Sequence, residues 1–125
     1  MKSGIELIDD ERERQKKVEG WTPEHDDEHE DDELARAAAC YAMPRVKRYY
    51  RISDSAADVW GLLWPWADGW WKPSHDNRVR ELVKAGALIA AEIDRLQRKA
   101  SNTKLESTAA RSGPSVDSKR MLGGE

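Results

Sequence analysis

Two histidines and a run of acids lie close together near the start of the chain. His25 and His29 are four residues apart, with Asp26 and Asp27 between them. Because residues four apart share one face of a helix, both imidazoles could hold one divalent metal ion, with Asp26 or Glu33 completing the shell. The same groups also suit the start of a following helix, where acids stabilise free backbone amides. The pattern therefore leaves metal binding or acid–base chemistry open beside a capping role.

A turn precedes this polar cluster directly. Gly20 and Pro23 bracket Trp21, and glycine and proline together favour a turn over a regular helix. We expect the Trp21 indole to be wedged into the core on the long C-terminal helix, near Gly86 or Ile89. In that position it would orient the histidines and acids that follow.

Carboxylates on two predicted helices suggest a further chemistry. Residues 27–33 carry several acids, and Glu92 and Asp94 lie on the C-terminal helix. Helical nucleotide pyrophosphohydrolases gather carboxylates around Mg²⁺, which binds the triphosphate and activates water. The spacing of Glu92 and Asp94 is not the Glu-x-x-Asp of that group, and its Glu-Glu-x-x-Glu run is missing. A metal-dependent nucleotide hydrolase therefore stands as the alternative to simple binding.

Tryptophans form the third candidate site. Five of the six tryptophans lie in residues 60–71, where prolines and Gly69 interrupt any regular helix. Trp71 could stack on a base, and Lys72 or Arg78 could supply charge to a phosphate. Since the chain has no phenylalanine, indoles must also fill the core. We expect a structured loop with most indoles in the core and one or two lining a pocket.

Size and composition set limits on the fold and the partners. The chain has 125 residues, of which 36% are charged, with a net charge of -3, and its mean hydropathy is -0.88. This is enough for one modest core. Eight acids fall in residues 24–33 and four basic groups in residues 45–51. Duplex DNA requires a broad positive face, so the pattern argues against it.

The single cysteine and the hydropathy profile point to a cytoplasmic protein. Cys40 lies in an alanine-rich run and is expected to be a buried, unpaired thiol. The N-terminus lacks the apolar core of a signal peptide, and no later segment is apolar for the length of a membrane span. We therefore expect no membrane partner.

Helix formers and apolar spacing predict an all-α domain of about four helices. The expected helices cover residues 5–18, from Asp31 or Asp32 to the residue before Pro44, 53–63, and 76–99. Glu11 would form weak exposed pairs along the first helix with Arg14 or Gln15, and Ser55 with Asp58 would cap the third. Residues 45–52 are left open as extended or loop. The domain boundaries are 5–99, followed by a disordered tail over 100–125.

An apolar stripe on the last helix is the strongest periodic pattern. Its members are spaced by four, three, four and three residues, as one helix face requires: Leu82, Gly86, Ile89, Ile93 and Leu96. We expect this stripe to be buried against the second helix, at Leu34, Ala38 and Tyr41. Gly86 would permit a close helix crossing there.

Several motifs resemble a family of small uncharacterised proteins encoded by phages and prophages. They are EGWTPEHDD with His29 (residues 19–29), WPW (64–66), WWKP (70–73) and LVKAGALI followed by AEI (82–93). The resemblance covers about residues 5–98. It implies a phage accessory protein in the host cytoplasm, and it implies no particular activity.

A second resemblance is more distant. The Glu11-Arg12 pair, the Gly20-Trp21-Thr22 turn, Asp26-Asp27 and a helix over residues 77–87 are similar to the ryanodine-receptor repeat. The Gly-Trp-x-Tyr-Gly run of that repeat is present only as far as its Gly-Trp pair, and its Pro-Tyr segment has no counterpart. The resemblance implies ligand or protein binding rather than catalysis.

Together these patterns favour a small binding module. We expect a pocket between the histidine segment, the tryptophan loop and the long helix, for a nucleotide or related anionic ligand. A protein–protein interaction module, with a host protein as partner, is a further alternative, and the oligomeric state stays open. The expected ligand-binding residues are Trp21, His25, Asp26, Asp27, His29, Trp71, Lys72, Arg78 and Glu92.

Overall fold

The computed structural model describes residues 1–52 and 57–111, and within them the protein is helical. A 3-10 turn over Asp68–Trp70 breaks the tryptophan loop, and an isolated antiparallel bridge pairs Arg51 with Asp58. The all-α class is confirmed. The helices are α1 (Gly4–Lys17), α2 (Pro23–Asp26), α3 (Glu33–Ala42), α4 (Arg45–Arg48), α5 (Val59–Leu63) and α6 (Arg78–Arg111).

The chain divides into two units, Met1–Glu92 and Ile93–Glu125. All contacts and pockets discussed below belong to the first unit. In the second, α6 continues to Arg111, beyond the helix end predicted at residue 99. Residues 112–125 lie outside the described part of the chain. No helix in the described ranges is both long and apolar enough to cross a membrane.

Helix α1 begins and ends as its sequence dictates. The Ser3 hydroxyl accepts from the Glu6 amide at 3.2 Å, and the Glu6 carboxylate accepts from the Ser3 amide at 2.7 Å, which forms a capping box. After the helix, Gly20 has a φ of 77°. This left-handed conformation favours glycine and lets the chain reverse, so that the Trp21 amide donates to the Gln15 carbonyl at 2.9 Å.

The predicted turn at Pro23 proves to be the start of α2. Proline occupies the first turn of this helix, and Thr22 caps it by accepting from the His25 amide at 3.3 Å. Helix α3 starts beside Asp32, as expected. However, Asp32 has a φ of 64°, and its side chain makes no capping hydrogen bond, so the predicted cap is wrong.

The segment between α3 and the tryptophan loop is more helical than expected at its start. Residues 45–48 form α4, a conformation not among the two left open for residues 45–52. Asp58 caps α5 by accepting from the Gly61 amide at 2.6 Å. Ser55, the other member of the predicted capping pair, lies outside the described residues.

The apolar stripe of α6 is not the buried face, which overturns the predicted packing. Leu82 and Ile89 are 46% and 47% exposed, and Ile93 and Leu96 are also exposed. The buried face carries alanines and Leu88 instead. The core comprises Leu34, Ala37, Ala38, Cys40 and Tyr41 of α3, Trp64 of the loop, and Ala85, Leu88 and Ala91 of α6.

The physical reason is that the bulk of the core comes from the tryptophan loop. Indoles of about 150–250 Å² each fill the space in front of α6, so the helix must present small side chains there. Cys40 is fully buried as expected, and burial raises the pKa of its thiol to about 11.

Gly86 marks a close approach, as predicted, but with a different helix. A Cβ atom at this position would lie 2.5 Å from Cδ1 of Ile8. Ile8 belongs to α1, so the crossing is between α6 and α1 rather than α3. The space beside Gly86 is therefore taken by Ile8, and the prediction that Trp21 fills it is wrong.

Two neighbouring substitutions on α6 test this assignment of faces. Leu88→Ala should lower the free energy of unfolding by about 2–3 kcal/mol, because it removes a buried side chain. Ile89→Ala should cost less than about 1 kcal/mol, because half of its side chain is already in water. Urea denaturation of both variants measures the difference. An equal or reversed order would restore the predicted stripe as the core face.

Candidate ligand-binding site

Five of the six tryptophans are linked by ring contacts into one aromatic cluster, and Trp60, Trp64 and Trp71 form its inner part. Trp64 is buried, with its ring centroid 5.0 Å from Trp71 and 6.2 Å from Trp60. Trp71 also lies 4.7 Å from the Tyr41 ring, and its indole N–H donates to the Tyr49 hydroxyl at 3.3 Å. Trp71, an expected ligand-binding residue, is therefore part of this packing.

Three tryptophans line two cavities in common. We call Trp21, Trp66 and Trp70 the tryptophan wall, because all three line both cavities. Trp21 and Trp66 are half-buried against the core, with centroids 6.3 Å apart. Trp70 is 58% exposed. The sequence predicted one pocket in this region, and the structure has two that share these three indoles.

The first cavity, the histidine pocket, lies beside α2 and the start of α3. Its volume is about 220 Å³, and it is lined by the tryptophan wall, His25, His29 and Leu34. The Trp21 and His25 rings are stacked at 6.1 Å, and the His25 and His29 centroids are 4.9 Å apart. The structure thus brings Trp21, His25 and His29 together, as expected.

The second cavity, the lysine pocket, lies between α1, the tryptophan loop and α6. It measures about 50 Å³ and combines aromatic walls with both signs of charge. The residues lining it are Glu11, Arg14, Gln15, Glu19, Trp21, Tyr41, Trp64, Trp66, Trp70, Lys72, Lys84 and Leu88. Lys72, an expected site residue, is here, and sequence reasoning missed Gln15, Trp66 and Lys84.

Lys84 connects the pocket to the loop. Its ammonium donates to the Lys72 carbonyl at 2.8 Å and lies 5.4 Å from the centroid of the Tyr41 ring. Burial, together with the positive charges of Arg80 and Arg14, lowers the pKa of Lys84. A negative charge bound nearby would stabilise the ammonium form.

Two polar atoms of the lysine pocket residues have no hydrogen-bond partner among the residues that the structure describes. They are Oε1 of Gln15 and Nε1 of Trp66, both buried. The Gln15 amide orientation is fixed because its nitrogen donates to the Glu11 carboxylate at 3.3 Å, and a carboxylate only accepts. One unpaired acceptor and one unpaired donor therefore belong to residues of the same pocket.

Asp26 has a structural partner rather than a free carboxylate. It is fully buried, and its Oδ2 accepts from the Arg12 guanidinium at 2.5 Å. Arg12 also donates to the Trp21 carbonyl at 3.2 Å. This pair fastens α2 and the Trp21 turn to α1, and it places the His25 ring at the wall.

A buried carboxylate organises the N-terminal end of α6. Glu81 accepts from Arg45, Arg48 and Arg78 at 3.0–3.1 Å and from the Ser74 amide at 3.0 Å. Burial alone would raise the pKa of Glu81, but these hydrogen bonds lower it to about 2. Arg78, expected to meet a phosphate, is thus directed to Glu81 and to the Tyr41 carbonyl at 2.9 Å.

Glu11 forms a second buried network. It accepts from Arg14 at 2.9 Å on both oxygens and from Arg80 at 2.5 Å. The expected pairs with Arg14 and Gln15 are present, but Glu11 is buried rather than exposed. Burial opposes ionisation, and the two arginines outweigh it, so the pKa of Glu11 is lowered.

The remaining expected residues are scattered. Asp27 is exposed at the end of α2, and Glu92 is buried on α6. His29 Nδ1 lies 3.5 Å from a Glu33 oxygen. Nowhere in the described ranges do three or more His, Cys, Asp or Glu side chains form a group that could hold a metal ion. The metal-dependent alternative gains no supporting geometry from these residues.

No protein family, curated protein or solved structure matches this chain. A functional proposal for this chain therefore rests on the geometry of the site alone.

Proposed function

We propose that this protein is a small binding module for a nucleotide or related anionic ligand, received in the lysine pocket. The observation that carries the proposal is the combination of indole walls and cationic side chains in one cavity. Base–aromatic stacking and cationic contacts to phosphate are the two interactions with which proteins bind single nucleotides and strands. The phage motifs would then make the module an accessory protein of the phage type.

The distribution of exposure supports an orientation for such a ligand. Lys72 is exposed, so its charge lies at the mouth of the pocket. Trp64 and Leu88 are buried and form its inner surface. A planar ring would enter between the indoles, with its anionic group left at the mouth beside Lys72.

Trp70 gives the sharpest test, because it is the exposed member of the tryptophan wall. Trp70→Ala should weaken nucleotide binding about tenfold or more, since stacking contributes about 1–3 kcal/mol per base. The melting temperature of the variant should change little, because the Trp70 indole is mostly in water. Calorimetric titration of the intact protein with AMP, CMP, GMP, UMP and IMP measures the affinity.

Tyr50→Ala is the matched control, since Tyr50 is similarly exposed and does not line either pocket. It should leave affinity unchanged. If none of the five nucleotides binds the parent protein at millimolar concentration, or if Trp70→Ala binds them equally well, the proposed function is wrong.

A further inference from the structure

Four aromatic rings that line the histidine pocket contact one another in a closed circuit. The Trp21 and His25 centroids are 6.1 Å apart, and those of His25 and His29 are 4.9 Å apart. His29 lies 5.4 Å from Trp66, and Trp66 lies 6.3 Å from Trp21, which closes the circuit. These four distances place the midpoint of the circuit within about 6 Å of every centroid, the range in which an aromatic face attracts a cation. The spacing is therefore that of an aromatic cage.

The rings of this circuit do not form a single parallel stack. Trp21 and His25 are parallel within 4°, but the other three pairs are inclined by 72°, 58° and 50°. The exposed Trp70 indole adds a third tryptophan to the lining of the pocket. Tryptophan faces attract cations more strongly than other aromatic side chains do. A positive charge in the pocket would thus meet several rings from different directions.

The charge around the histidine pocket is negative. Residues 18–35 contain no lysine or arginine, whereas residues 24–33 contain eight acids. Among the residues that the structure describes, the lining of this pocket includes no lysine or arginine either. Six of the acids are exposed: Glu24, Asp27, Glu28, Glu30, Asp31 and Asp32. Acids of one sign around a cleft raise the local concentration of cations.

The charges nearest the rings agree with this sign. A Glu33 oxygen lies 3.5 Å from Nδ1 of His29. Burial opposes the ionisation of Glu33, but hydrogen bonds from backbone amides and from His29 outweigh it, so the pKa of Glu33 is lowered. Arg12 reaches the Trp21 carbonyl, but its charge is paired with that of the buried Asp26.

We propose that the histidine pocket binds a quaternary ammonium group, that is, a trimethylated nitrogen carried by a small metabolite or by a methylated lysine side chain. The inference goes beyond the proposed function, because it concerns a second ligand in a different pocket. A trimethylated nitrogen keeps its positive charge and has no N–H group, so it needs no hydrogen-bond acceptor. A primary ammonium would lose hydrogen bonds to water on entry, since the indoles only donate.

The size of the pocket suits this group. A trimethylammonium with its linking carbon has five heavy atoms, and at about 30 Å³ each, the volume of a water molecule in the liquid, it occupies about 150 Å³. The histidine pocket measures about 220 Å³. It therefore accepts the charged group while the rest of the ligand extends towards solvent.

Three ligands of nearly the same size separate charge and methylation from simple apolar contact. They are choline, its neutral carbon analogue 3,3-dimethylbutan-1-ol, and ethanolamine. In titration calorimetry on the full chain, choline should bind at least about tenfold tighter than either of the others. Equal binding of the neutral analogue would show that the pocket is only apolar, and equal binding of ethanolamine that it attracts any cation. Either result would overturn the proposal.

A fourth ligand, Nα-acetyl-Nε-trimethyl-lysine amide, distinguishes the two sources of the group. Tighter binding of this compound than of choline would assign the pocket to a methylated lysine, and the reverse order would assign it to a small metabolite. Binding of neither compound at millimolar concentration would overturn the proposal.

His29→Leu tests the location, because His29 lines the histidine pocket and not the lysine pocket. The substitution keeps an apolar side chain and removes the ring, so choline affinity should fall at least about fivefold. His75→Leu is the matched control, since His75 is exposed and lines neither pocket. It should bind choline like the parent protein.

Trp70→Leu is a second variant that decides the matter if His29→Leu fails to fold, because Trp70 is 58% exposed. It should weaken choline binding by a similar factor, with the equally exposed Tyr50→Leu as its control. Parental affinity in both His29→Leu and Trp70→Leu would overturn the assignment of choline to this pocket.

Discussion

Replacing Glu81 with glutamine should lower the free energy of unfolding by about 3–5 kcal/mol, the usual effect of removing one partner from a buried ion pair. The carboxylate is fully buried, and so is Arg48, its bidentate partner. Without the negative charge, Arg48 would remain in the core beside Arg45 and Arg78, with three positive charges and no neutralising group. Urea denaturation followed by tryptophan fluorescence measures the loss.

Glu28→Gln makes the same chemical change at an exposed position and should alter stability by less than about 0.5 kcal/mol. A loss below about 1 kcal/mol in Glu81→Gln would show that the arginine network does not hold α4 and α6 together.

The same carboxylate should make stability depend on acid. Its pKa is lowered from 4.5 to about 2 in the folded state, so the unfolded chain binds the proton more readily. The resulting stabilisation is present above pH 4.5 and is lost as the pH falls towards 2, in total about 3 kcal/mol. Glu11, whose pKa is also lowered, acts in the same direction. In Glu81→Gln this part of the acid dependence should disappear, which denaturation series at pH 2.5 and 6 would reveal.

These networks explain why the sequence predicted the positions of the helices better than it predicted which face of each helix is buried. Caps, prolines and Gly20 act locally, so α1, α3 and α6 start within about two residues of the expected positions. Hydrophobic periodicity then selected the wrong side of α6, since its inward face combines alanines with Glu81. A buried face that contains a charged residue such as Glu81 is not detected by hydrophobic periodicity. Its partner Arg48 is 33 residues away in sequence, beyond the reach of any local rule.

The residues of the candidate site likewise fall into those that local sequence patterns predicted and those that they missed. The turn at Trp21 and the i, i+4 spacing of His25 and His29 correctly placed these three side chains at one cavity. Gln15 and Lys84 escaped notice because a glutamine and a lysine on helices usually face water. Gln15 does follow Glu11 by four residues, and both are buried. Helix α1 has few apolar residues, so the spacing of Glu11 and Gln15 on one face was the available sign that this polar face is buried.

Asp26→Asn should also cost about 3–5 kcal/mol, because it leaves the buried Arg12 guanidinium without the counter-charge of Asp26. The effect should extend to the candidate site, since Arg12 holds both Asp26 and the Trp21 carbonyl. We expect the Trp21 turn and His25 to lose their fixed positions, with a loss of nucleotide affinity. Urea denaturation measures the first effect. Amide hydrogen exchange over residues 21–29 measures the second.

Asp27→Asn is the matched control, because Asp27 is the adjacent residue and is exposed. It should change stability by less than about 1 kcal/mol. If Asp26 were instead a ligand or metal contact, its substitution would abolish binding while leaving the melting temperature and the exchange protection of residues 21–29 intact. That outcome would contradict a structural role for Asp26, since removing one charge of a buried ion pair destabilises the helices that the pair joins.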